Sequence, residues 1–96
     1  HGSGELLLSV ADGMDDPMLA ARAPFDLLIA NILAGPLIAL APAFAAATAP
    51  GGTIILAGLL DSQADAVAAA YATRGCVLLN RGAGEWPVLV LARGGS

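Results

Sequence analysis

Asn31 is the side chain best placed for chemistry in this sequence of 96 residues. It ends the apolar run Phe25, Leu27, Leu28, Ile29, Ala30, at a position where another apolar residue would continue the pattern. Near-continuous apolar runs mark strands covered on both faces, as in parallel sheets. Ligands of open α/β sheets bind just beyond the carboxyl ends of such strands, which is where Asn31 falls. An amide there can orient a bound group without titrating; the plainer reading is a turn-forming or strand-capping asparagine. Asp12 holds the equivalent place after the shorter apolar stretch 6–10, and Asp12-Gly13 equally suits a simple turn.

The other polar residues offer less. Asp15, Asp16 and Asp26 read as solvated loop and capping carboxylates. His1 and Cys76 are far apart, and no acids cluster at ligand spacing, so no metal site is expected. Cys76 is the single cysteine, which rules out an internal disulfide and fits a reducing compartment. Glu85-Trp86 reads as hairpin structure, with Trp86, the largest apolar side chain, in the core. Phe44 and Tyr71 read as core too. The Gly82-Ala83-Gly84 segment is too short and misplaced for a nucleotide fingerprint.

Composition narrows the classes. The chain is long enough for one domain, 57% apolar, with a formal net charge of -4 and no lysine. Its four arginines are scattered, so a direct nucleic-acid surface is not expected. No basic segment precedes an apolar one at the start, so no signal peptide is visible. Residues 27–60 carry no charge and are long enough to span a bilayer. Asn31, Gly35-Pro36, Pro42 and Pro50-Gly51-Gly52 cut that run into strand- and helix-length pieces, which argues against a membrane hairpin.

The elements that must position these residues follow in order. Residues 6–10 read as a strand. Asp16 with Pro17 could cap a short helix within 14–23. Residues 25–30 form the central strand. Residues 36–48 are helical, with Leu37, Leu40, Ala41, Phe44 and Ala45 on one face. Pro42 predicts a kink or two short helices sharing a corner. Pro50-Gly51-Gly52 predicts a turn, and 53–60 a second buried strand. Asp61 or Ser62 is expected to cap a helix with Leu60, Ala64, Val67 and Tyr71 inward, ended by Gly75. Residues 76–81 and 86–92 read as an antiparallel hairpin, with Pro87 at a strand start or facing an unpaired side. This is α/β, a mostly parallel sheet with one antiparallel strand.

A set of local patterns then stands out: Ala11-Asp12-Gly13, Phe25-Asp26, Ala30-Asn31-Ile32-Leu33-Ala34, Pro36-Leu37, Leu40-Ala41-Pro42, Pro50-Gly51-Gly52, Gly58, Gln63, Gly75 and Gly84-Glu85-Trp86. Together they resemble the carboxyl half of the methyltransferase domain of the bacterial ribosomal protein L-eleven methyltransferase family, across residues 6–93. The resemblance implies a partial Rossmann-like class I methyltransferase sheet that uses S-adenosylmethionine. It implies that Asn31 lies between cofactor and substrate amine as the catalytic residue, with Ile32 and Leu33 shaping the pocket. Asp12 would accept a hydrogen bond from the adenine amino group, with Gly13 and Met14 against the ring.

The first strand of that fold, its glycine-rich loop and the acidic residue after the second strand have no counterpart in these 96 residues. The expectation is therefore residues 1–4 as a tag remnant, 5–93 as the carboxyl half of a methyltransferase domain, and 94–96 as a tail. Such a fragment would be inactive alone, its parent a cytoplasmic enzyme methylating amino groups of a ribosomal protein. In the resembled fold the third and fourth strands are not neighbours, so residues 6–10 are expected to need another partner, such as a second copy in a homodimer. The alternative is a non-enzymatic α/β module that self-associates through an exposed sheet edge.

Overall fold

The computed structural model describes residues 5–9, as backbone, and 25–94. The helix expected within 14–23 lies outside them. Five strands form one sheet in the order β1-β2-β3-β5-β4: β1 is Glu5–Ser9, β2 Phe25–Asn31, β3 Thr48–Ala57, β4 Cys76–Arg81 and β5 Leu89–Arg93. β1, β2 and β3 pair in parallel, and β5 runs antiparallel between β3 and β4. Four of the five strands thus point the same way, which is the α/β arrangement the apolar runs predict.

One pairing departs from the expectation. β1 lies directly against β2, with Leu6 opposite Leu28 and Leu8 opposite Ala30. The edge of β2 would otherwise present unpaired N–H and C=O groups, and β1 satisfies them from within the chain. A second copy is not needed for that purpose.

Between β2 and β3 the helical stretch is divided, as Pro42 predicts. Helix α1 (Ala34–Ala39) stops at Leu40, and α2 (Ala41–Ala47) restarts with Pro42 in its first turn, where its missing N–H costs nothing. The Pro50-Gly51-Gly52 turn is instead a bulge inside a longer strand. Phe25 pairs with Thr48 and Leu27 with Thr53, so β3 carries three more residues than its partner over this interval. Gly51, at φ 83°, makes the excursion possible. The strand ends at Ala57 rather than residue 60, because Gly58 takes φ 89° and turns the chain out of the ladder.

Asp61–Gln63 forms a single 3-10 turn that leads into α3 (Ala64–Ala72). Neither Asp61 nor Ser62 caps α3 through its side chain; the Leu60 N–H donates to Gln63 Oε1 at 2.7 Å instead. Ala64, Val67 and Tyr71 are buried as expected, whereas Leu60 is exposed. Gly75, at φ 82°, follows the helix and returns the chain to β4. β5 starts at Leu89, three residues later than expected, after Gly82 N–H donates to the Val88 carbonyl across the connection.

The core lies between the helices and one face of the sheet. Leu28, Ile54 and Leu91 form one register row there, and Ala30, Leu56 and Leu89 the next, all 0% exposed. Leu37, Phe44, Val67 and Tyr71 pack against them. The Tyr71 hydroxyl donates to the Leu37 carbonyl at 2.9 Å and so ties α3 to α1. Burial pushes its pKa well above the usual phenol range. Tyr71→Phe is expected to cost about 1–2 kcal/mol in urea unfolding, since a buried carbonyl loses its side-chain donor while the ring still fills its place.

Candidate functional site

The site is built on the carboxyl ends of the three parallel strands. Ser9, Asn31 and Ala57 stand at one level across them. β2 places Asn31 as its last residue with an exposed side chain. The next residue, Ile32, turns into the core at 1% exposure and anchors the chain. Leu33 then turns outward at 60% exposure, extended at φ -69° and ψ 159°, before α1 begins. This out-in-out sequence fixes the amide at the lip of the sheet by burying its neighbour.

Gly58 closes the other side of the lip. A Cβ built on it would stand 2.5 Å from the Ile32 carbonyl oxygen and 3.0 Å from Asn31 Oδ1. Only a glycine backbone fits that close to the amide, and only glycine takes φ 89° without strain. Beyond Gly58, Leu59 is buried and Leu60 is exposed. A third loop joins from the β4–β5 connection: the Asp61 N–H donates to the Glu85 carbonyl at 2.9 Å. Trp86 therefore belongs to this end of the sheet, 61% exposed rather than in the core. Pro87 beside it is buried.

The electrostatics of the lip are nearly neutral. Residues 31–33 and 58–60 carry no charge. Arg81 sits beside them and is occupied by Asp61, with Nη2 2.9 Å from Oδ1 and 3.2 Å from the Asp61 carbonyl. The pair is solvated and contributes at most about 1 kcal/mol, so its use is to hold the start of the 3-10 turn. Cys76 is buried in the core, its thiol pushed up by that burial against a smaller opposing pull from Arg93. It is no activated nucleophile. Among the described residues no three His, Cys, Asp or Glu gather as a metal site. The lip thus offers a neutral amide, backbone carbonyls and apolar walls: equipment for orienting a group rather than for general acid–base work.

Of the residues expected from the sequence, Asn31 and Leu33 lie together at this lip. Asp12, Gly13 and Met14 lie outside the described residues. Gly58, Leu60 and Trp86 are the additions. Gly58 had a signal, an isolated glycine within a strand-like apolar run, which often marks close backbone approach.

Three comparisons bear on this arrangement. The family model described as "Ribosomal protein L11 methyltransferase (PrmA)" matches residues 6–94. A ribosomal protein L11 methyltransferase from Chelativorans sp. (strain BNC1) is 56% identical over 48 residues, which is 50% of this chain and 17% of that relative. Its counterpart from Brucella suis (strain ATCC 23445 / NCTC 10510) is 54% identical over 51 residues, covering 53% of this chain and 18% of the relative. The crystal structure of a ribosomal protein L11 methylase from Lactobacillus delbrueckii subsp. bulgaricus superposes with a TM-score of 0.71 at 28% identity, over 80% of this chain and 41% of that one. The matched stretches therefore span less than a fifth of these curated relatives and under half of the solved structure.

Proposed function

Because the chain belongs to the ribosomal protein L11 methyltransferase family, we propose that its residues form the substrate side of an enzyme that transfers methyl groups from S-adenosylmethionine to amino groups of a ribosomal protein in the cytoplasm. The observation that carries this reading is Asn31, exposed at the end of β2 with Gly58 packed against its amide. Methyl transfer to nitrogen needs an amine lone pair aligned with the bond being broken, and little else from the protein. Asn31 Oδ1 accepts one amine N–H and so turns the lone pair toward the methyl group. Leu33 and Leu60 supply apolar walls around the aliphatic part of the substrate, and Trp86 extends that surface.

The lip also suits a cationic methyl donor. S-adenosylmethionine supplies an electrophilic methyl on a sulfonium centre. Residues 31–33 and 58–60 carry no charge that would repel it, the oxygens of Asn31 and Ile32 lie at the lip beside Gly58, and Arg81 is engaged by Asp61. Asp12, Gly13 and Met14 are assigned to the adenine, on the resemblance alone.

The full enzyme is tested by following labelled methyl transfer from S-adenosylmethionine to ribosomal protein L11 with a full-length relative carrying this stretch. Among the described residues no strand is followed by a glycine-rich turn and helix. Isothermal titration of this chain with S-adenosylhomocysteine is expected to show no tight binding. A micromolar constant would mean that the lip and Asp12–Met14 suffice to hold the cofactor.

A further inference from the structure

Leu60 stands where a capping residue belongs. It is the N-cap of the 3-10 turn Asp61–Gln63, at φ -85° and ψ 157°. Ser, Thr, Asp or Asn there would accept a hydrogen bond from the turn's own N–H groups, whereas a leucine side chain has no acceptor. Leu60 also stays out of the hydrophobic core of the described residues. The position thus gives up a cap without a gain in core burial, and such local losses cluster at functional sites. Both backbone groups of Leu60 are nevertheless held by one residue. Its N–H donates to Gln63 Oε1 at 2.7 Å, and its carbonyl accepts from the Gln63 N–H at 2.9 Å. Gln63 directly precedes α3, yet its side chain makes no cap bond to that helix and reaches back to Leu60 instead.

We propose that Gln63 is a positioning residue for the substrate: its side-chain amide fixes the Leu59–Leu60 peptide and, with it, the direction of the Leu60 side chain. The inference rests on the methyl-transfer reading, in which Leu60 is a wall for the aliphatic part of the substrate. Chain geometry leaves this task to Gln63. Gly58, at φ 89°, has no side chain that could restrain the turn. Leu59 is 0% exposed and anchors the chain in the core, but the rotation of the peptide that follows it is a separate degree of freedom. Beyond Leu60 the turn is held from the β4–β5 side. The Asp61 N–H donates to the Glu85 carbonyl at 2.9 Å, and Arg81 Nη2 donates to the Asp61 carbonyl at 3.2 Å. That leaves the Leu60 N–H, and Gln63 Oε1 is its acceptor.

The test uses a full-length relative that carries this stretch, with ribosomal protein L11 as substrate. Gln63→Met keeps the length of the side chain and removes the acceptor. It is expected to raise KM for the protein substrate about fivefold with kcat unchanged, since the wall acts on substrate and transition state alike. Gln63→Glu keeps an acceptor and should hold KM within about twofold of the parent's. Leu60→Ala should raise KM at least as far as Gln63→Met does. Adding Gln63→Met to it should change nothing further, because the two residues act through one side chain. Should Gln63→Met fail to fold, Gln63→Ala takes its place; loss of fold in both makes Gln63 structural and overturns the proposal. An active parent whose Gln63→Met variant keeps its KM also overturns it, as do additive effects of Leu60→Ala and Gln63→Met, and either result leaves the methyl-transfer reading standing. A parent that transfers no methyl group to the protein overturns that reading, and the role of Gln63 with it.

Discussion

Asn31→Ala in a full-length relative that carries this stretch is expected to lower methyl-transfer turnover by about a hundredfold, the cost of losing alignment at a reacting centre. The side chain is exposed at a strand end, so its removal should change stability by no more than about 0.5 kcal/mol. Those two outcomes together separate an orienting role from a structural one. A strand-capping asparagine would show the opposite pattern, with stability lost and turnover kept. Asn31→Asp sharpens the test. A carboxylate beside the substrate amine stabilises its ammonium form and raises the amine pKa. Less of the nucleophilic free base is then present at neutral pH, so the rate profile should move to higher pH. Turnover of Asn31→Ala equal to the parent's would remove the assigned role.

How far the sequence could be read is clearest strand by strand. β2 and β3 were legible because parallel strands buried under helices read as unbroken apolar runs, and Asn31 was legible as the residue that breaks one. The split between α1 and α2 was legible because proline acts locally, through its own ring and missing N–H. What stayed hidden depends on partners distant in sequence. Nothing within residues 6–10 specifies that β1 lies beside β2; five apolar-rich residues carry a face preference but no address. Pro50-Gly51-Gly52 has the same local signature in a turn and in a bulge, and the pairing of Thr48 with Phe25 decides between them. Asp61 has the chemistry of a helix cap, yet Arg81, 20 residues on, engages it. Trp86 shows the limit of size as a guide to burial: its ring lies in a connection that bends over the sheet's end. Asp12, Gly13 and Met14 remain assigned by resemblance.

The largest effect on stability is expected at Gly58, and two other glycines in the same chain separate its causes. Gly58→Ala forces an L side chain to φ 89°, which costs about 1–2 kcal/mol by itself. Its Cβ would also stand 2.5 Å from the Ile32 carbonyl oxygen, a backbone atom that cannot swing aside. Gly51→Ala carries the first cost without the second, since Gly51 has φ 83° and nothing within 4 Å of the built Cβ. Gly35→Ala carries neither: its φ is not positive, its Cβ meets nothing within 4 Å, and it sits in the first turn of α1, where alanine should be neutral to stabilising by up to about 1 kcal/mol. Urea unfolding of the three variants should therefore rank Gly35→Ala, Gly51→Ala and Gly58→Ala in rising order of loss, with Gly58→Ala exceeding about 2 kcal/mol. The difference between the last two measures how tightly the backbone after β3 is pressed against the residues after β2. A shift of Ile32 to relieve the contact moves Asn31 with it, so Gly58→Ala in a full-length relative should also lose turnover. Equal losses at Gly51 and Gly58, with turnover intact, would mean that the lip yields to the added methyl and that the amide is not held by its neighbour.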